Sequence, residues 1–126
     1  MSDSRQLAMQ AVEAAFTKNA LAPILLDVSS FASYTDHILI VSGRSTRQVE
    51  AIAEAVGKGM KEQGRDPLGR EGERGGQWVL LDFADLVVHV FYHPVREYYD
   101  IEGLWADAPR VEIEVPPELR VAEVYG

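Results

Sequence analysis

The 126-residue sequence contains no cysteine. That excludes disulfide frameworks, thiolate metal sites, iron–sulfur clusters and cysteine nucleophiles. Cations are also scarce: twelve Lys and Arg stand against twenty Asp and Glu, a formal charge of -8. Sequence-independent nucleic-acid binding draws on cations that displace phosphate counterions, so an acidic chain is poorly suited to it. No sequence-specific nucleic-acid contact is expected either, and a basic protein is the more natural partner. No apolar run is long enough to span a membrane, and Met1–Leu7 carries no targeting pattern. The expectation is a cytoplasmic protein. What remains is ordinary, with 47% hydrophobic and 25% charged residues. This composition suits one compact domain, expected over residues 1–115, with 116–126 as a flexible C-terminal tail.

Along the chain, Asp3 or Ser4 is expected to cap a helix running to about Asn19, with Met9, Val12, Ala15 and Phe16 as its apolar stripe. Ile24–Val28 reads as a buried strand and His37–Val41 as a second. Ser45 and Gln48 form a capping box, each satisfying the other's backbone N–H. The helix behind it buries Val49, Ile52, Ala53, Val56 and Met60 and ends near Gly64. Asp66–Gly76, rich in glycine, reads as a short edge strand followed by a mobile loop. Gln77–Leu81 and Leu86–Tyr92 form an antiparallel hairpin through Asp82–Asp85. Pro94 opens a short helix to Tyr99, one more turn follows over Ile101–Trp105, and Val111–Val115 is a last edge strand.

Pairing Asp82 with Asp85 sets Leu80 opposite Val87 and Trp78 opposite His89. One face then carries Val79, Leu81, Leu86, Val88 and Val90, all aliphatic, and is the core face. The other carries Trp78, Leu80, Val87, His89 and Phe91. Either a helix or the C-terminal segment covers this second face, or part of it stays open and docks another protein, a role that suits Trp and Tyr.

Catalytic constellations are thin. His89 and His93 are four apart, but one lies in a strand and the other just past its end, so no metal site is expected. Asp82 and Asp85 read as turn residues and Asp36 as the start of a strand. Ser42–Arg47 is a glycine turn before a helix N-terminus and can hold an anion, yet it lacks the second glycine and the Lys of a nucleoside-triphosphate loop. An alternative reading combines that turn with Asp27, Asp36 or Asp82 and magnesium as a nucleotidyltransferase-like enzyme. An obligate dimerisation module is a third.

Several blocks, in order, resemble the ribosomal silencing factor family, also called RsfS or Iojap. They are Tyr34–Val49, Glu71-Gly72, Trp78–Asp82, Asp85–Phe91 and Arg96–Trp105. The resemblance implies an α/β (α+β) fold, with a mixed β-sheet of about five strands flanked by helices in a nucleotidyltransferase-like topology. It implies no catalysis and no cofactor. It also implies binding to the large ribosomal subunit through that subunit's ribosomal protein number fourteen, a block on subunit joining when nutrients run short, and a homodimer when free. Combined with the aromatic face, it points to Trp78, Leu80, His89, Tyr98 and Tyr99 as the apolar centre of a partner-binding surface. Asp100 and Glu102 are expected to steer the encounter from its rim.

Overall fold

A computed structural model describes residues 3–72 and 75–119. Six strands form one mixed sheet in the order β3-β4-β5-β2-β1-β6. They are β1 (Leu21–Asp27), β2 (His37–Gly43), β3 (Gly69–Gly72), β4 (Trp78–Asp82), β5 (Leu86–Tyr92) and β6 (Arg110–Val111). Only β2 and β5 run parallel. Parallel neighbours need a long crossover, and α2 (Thr46–Glu62) with β3 and β4 supplies it. The expected mixed architecture is present, with six strands in place of about five.

The first sheet face is covered by α1 (Asp3–Phe16) and α2. Leu25, Leu39, Val41, Val79, Leu81, Leu86, Val88 and Val90 meet Val12, Ile52, Val56 and Met60 there, all buried. The α2 stripe expected from 3.6-residue spacing is the one buried, whereas α1 buries Leu7, Ala8, Ala11, Val12 and Ala15, and the expected Met9 and Phe16 are only half-buried. Asp3 and Ser4, expected as caps, lie inside α1, which ends at Phe16 rather than Asn19. Asn19 adopts a left-handed backbone beyond it.

Only half of the Ser45–Gln48 capping box forms. Ser45 accepts from the Gln48 N–H at 3.1 Å, but the Gln48 side chain accepts from Arg44 N and donates to the Lys18 and Asn19 carbonyls. The amide thereby ties the end of α1 to the start of α2, which a purely local cap cannot do. At the other end Gly64, φ 81°, completes the stop, with Gly64 and Arg65 N–H groups donating to Lys61 and Met60.

The hairpin register is two residues away from the expected one. Trp78 pairs with Phe91 and Leu80 with His89, while Asp82 faces Val87. A two-residue slip leaves every side chain on its face, so the core face is as expected. The turn, moved one residue along the chain and closed by Phe83 N–H on the Leu86 carbonyl, is made at Ala84, φ 76°, where Asp85 N–H donates to the Phe83 carbonyl and Asp82 Oδ1 accepts from Ala84 N–H at 2.8 Å. Arg65 braces it through the Phe83 carbonyl and the Asp85 carboxylate, each at 2.8 Å. An alanine in this region of backbone space is strained. Ala84→Gly is therefore expected to raise stability by about 1 kcal/mol, read as a higher urea midpoint at an unchanged m-value.

On the second face, α3 (His93–Tyr99), α4 (Ile101–Leu104) and Ala108 lie over Leu26, Ile38, Ile40 and Phe91. The centre of that face is covered, as the first reading expects, and its β4 margin is left half-open. The last strand is shorter than expected, because only Arg110 and Val111 pair with β1, and Glu112–Val115 continue as irregular chain. Pro117–Leu119 form a 3-10 turn with Leu119 buried, so the tail expected from Pro116 begins with an anchored turn. Residues 120–126 of that tail, and Glu73 and Arg74 of the expected mobile loop, lie outside the described residues.

Candidate functional site: an aromatic margin on the second sheet face

Alternation along β4 puts Trp78 and Leu80 on the second face, and both remain half-buried because α3 stops short of the sheet edge. The Trp78 ring stacks on its cross-strand partner Phe91, with centroids 5.0 Å apart and 23° between planes. Helix α3 starts directly at the end of β5, with Pro94 in its first turn, and runs back over the sheet. That path sets Tyr99 4.8 Å from Trp78, and Tyr98 packs edge-on against Tyr99 at 5.2 Å. Tyr98 is itself 83% exposed. A large, solvated tyrosine on an ordered aromatic stack has the composition of an interface hot spot.

His89 lies beneath this stack, buried, and is no surface contact. Its Nδ1 accepts from Trp78 Nε1 at 3.1 Å, fixing the indole plane. Burial pushes the imidazole down to about 4, so the ring is neutral at physiological pH and free to accept. Beside the stack, Glu71, Gly72, Trp78 and Leu80 line an open cleft of about 300 Å³. Gly72 is required for its wall: a Cβ there would stand 2.8 Å from the Trp78 carbonyl oxygen.

The two expected rim carboxylates separate. Asp100 is exposed at the α3–α4 junction, where its φ of 47° reverses the chain. Glu102 turns inward instead. Its Oε2 accepts from Arg96 Nε at 2.8 Å and also from Arg96 Nη2. Arg96 is 5% exposed, and its Nη1 donates to the Ala22 carbonyl at 2.7 Å and to Ser42 Oγ at 2.8 Å. Ser42 Oγ, which accepts from Arg96, also shares a hydrogen bond with His93 Nδ1 at 2.8 Å, its direction set by the imidazole tautomer. Burial, then the Arg96 charge, keeps His93 below its ordinary pKa, which favours the neutral ring beside the guanidinium. The bulge in β1, with Ala22 at φ 50°, is what aims that carbonyl at the guanidinium.

This Ser42–His93–Arg96–Glu102 network went unread in the sequence. The signal was an arginine three residues after a histidine on the short helix His93–Tyr99, where it is the one basic residue besides the histidine.

The components of a nucleotide site do not assemble. Asp27 binds Ser29 through its side chain, Asp36 precedes β2, and Ser42–Arg47 runs from the far end of the same strand into α2. At about 3.3 Å per residue, Asp36 and Ser42 are roughly 20 Å apart. Asp82 sits three strands from the Asp27 end of β1, about 14 Å away by strand spacing. Among the described residues, no helix is long and apolar enough to cross a membrane.

The family model described as ribosomal silencing factor during starvation matches residues 1–124. The chain is 40% identical over 111 residues to the ribosomal silencing factor RsfS of Halalkalibacterium halodurans, covering 88% of this chain and 95% of that one. It is 43% identical over 100 residues to the protein of that name from Chromobacterium violaceum, covering 79% and 80%. A crystal structure of a Chromobacterium violaceum protein superimposes with a TM-score of 0.81 at 35% identity, covering 99% of this chain and 100% of that one. The margin just described is built from the blocks Glu71-Gly72, Trp78–Asp82, Asp85–Phe91 and Arg96–Trp105, and the chain that carries them belongs to the ribosomal silencing factor family.

Proposed function

We propose that this protein represses translation by binding the large ribosomal subunit at its ribosomal protein number fourteen and obstructing subunit joining. The margin of Trp78, Leu80, Tyr98 and Tyr99 supplies the apolar centre of the contact. His89 holds the indole from beneath, Asp100 steers at the rim, and Glu102 acts through Arg96. The observation that carries this reading is the half-open aromatic stack, in a family named for ribosomal silencing, on a chain of charge -8. An acidic body with rigid aromatic anchors suits a basic ribosomal protein, because charge raises the encounter rate and buried rings hold the complex. The mechanism is steric. A bound 14.0 kDa domain occupies space that the small subunit needs, and neither bond-making nor a cofactor enters.

In the free state the protein is proposed to be a homodimer, which light scattering across concentrations tests. The direct experiment is co-sedimentation with isolated large subunits, followed by a joining assay. Trp78→Ala is expected to weaken subunit binding more than tenfold, about 2 kcal/mol or more, with the far-ultraviolet circular dichroism of the native chain. Failure of the native protein to travel with large subunits, or steady turnover of a nucleoside triphosphate, would falsify the proposal.

A further inference from the structure

The cleft next to the aromatic stack has a chemistry of its own. It is lined by Trp78 and Leu80 of β4 and by Glu71 and Gly72 of the neighbouring β3. Register fixes this arrangement: Glu71 pairs with Leu80, which pairs with His89, so all three share the second face. The neighbouring Arg70 points the other way and is held by Glu50 of α2 at 2.6 Å. Among the described residues Glu71 makes no ion pair and no side-chain hydrogen bond, and it is exposed. At about 300 Å³ the volume is at the low end for a ligand pocket, enough for one long side chain and too small for a folded element.

An aromatic ring, an aliphatic side chain and a carboxylate with no partner among the described residues, together on one small slot, select a cation with an apolar stem. Arginine fits better than lysine. Its guanidinium is planar and weakly hydrated, so it stacks on an indole while its N–H fork reaches a carboxylate. The -8 charge favours the same occupant. Resting on the ribosomal reading above, we propose that the Glu71–Trp78–Leu80 cleft is a receptor for one arginine side chain presented by the basic ribosomal partner. Tyr98 and Tyr99 then complete the apolar centre begun by Trp78 and Leu80, and this slot fixes its register.

Two measurements test the assignment. In the first, labelled protein is titrated with large ribosomal subunits. Glu71→Gln is expected to bind about five- to tenfold more weakly and Glu71→Lys at least thirtyfold, with a shallower salt dependence for both and native circular dichroism. In the second, acetyl-arginine-amide at millimolar concentration is added to the protein alone, with the uncharged isostere acetyl-citrulline-amide as control. The Trp78 indole N–H resonance, assigned with Trp78→Phe, is expected to move with arginine only, and to stop moving in Glu71→Gln.

If Trp78→Ala abolishes subunit binding while Glu71→Lys binds as the native protein does, the slot is empty in the complex. The receptor assignment then falls and the ribosomal reading stands. If the native protein does not bind subunits, both fall. If Glu71→Lys alters the mass in solution and not the subunit affinity, the occupant is a second copy of this chain and the assignment is overturned. Equal shifts with arginine and citrulline overturn it as well.

Discussion

Replacing Arg96 with alanine is expected to cost about 3–5 kcal/mol of folding stability, the usual result of breaking a buried ion pair from one side. The guanidinium is nearly inaccessible and serves three acceptors on three separate elements: Glu102 of α4, the Ala22 carbonyl in the β1 bulge, and Ser42 of β2. Its removal leaves a half-sequestered carboxylate without its cation and a bulge carbonyl without a donor, and each of these orphaned groups carries a desolvation cost. Arg96→Lys keeps the charge but lacks the fork, so it should recover only part of the loss. Glu102→Gln, which can still accept one hydrogen bond, should cost less than either. Urea unfolding at pH 7.5 measures the series. A loss below about 1 kcal/mol for Arg96→Ala would mean that water takes over the network. Because Arg96 also sits three residues before Tyr99, the alanine variant should loosen the tyrosine pair and weaken any partner that docks on it.

The parts of the molecule legible in the sequence are those whose signal is periodic. The α2 stripe from Val49 to Met60 and the alternation of Val79, Leu81, Val88 and Val90 are burial patterns, and they name the core face without any knowledge of register. Register itself depends on the turn. Asp82-Phe83-Ala84-Asp85 has no glycine to announce a positive φ, so the two-residue slip at Ala84 carried no local mark. Gln48 shows the same limit from another side. Its amide reaches Lys18 and Asn19, about thirty residues away, and no capping rule foresees a tertiary partner. The strand residues of the candidate site were legible by type and by face, since the shared face of Trp78, Leu80 and His89 follows from strand alternation. Their depth was not. His89 is buried and Tyr98 exposed because of the path α3 takes, which is set by long-range packing. Glu102 looked like a rim charge for the same reason: Arg96, six residues earlier, reaches it only because Asp100 reverses the chain between α3 and α4.

Stability is expected to fall by about 2–3 kcal/mol between pH 7.5 and pH 4.5 because of His89 alone. The folded state holds this imidazole near 4, whereas the unfolded chain returns it to about 6.5. Below 6.5 the unfolded state therefore binds a proton that the native state refuses, and stability drops by about 1.4 kcal/mol per unit until the pH nears 4. The contribution is fully present above pH 6.5. Asp27, held below its ordinary range by the Ser29 hydroxyl and N–H, adds a loss only at lower pH, through the carboxylate range. His93 acts in the same direction as His89, so the two have to be separated by mutation. His89→Phe keeps an aromatic ring under Trp78 and removes the titration; the indole N–H, half-buried, can turn to water. The difference between native and His89→Phe unfolding free energies across the two pH values isolates the effect. A flat difference would show that His89 is hydrated in the native state. The same titration has a local signature. A protonated His89 cannot accept from Trp78 Nε1, so tryptophan fluorescence of the native fold should change with a midpoint near pH 4, and this change should be absent in His89→Phe. At neutral pH the neutral ring is the form that holds the indole in place. On this account acidification loosens the margin where Trp78 meets a partner before it unfolds the sheet.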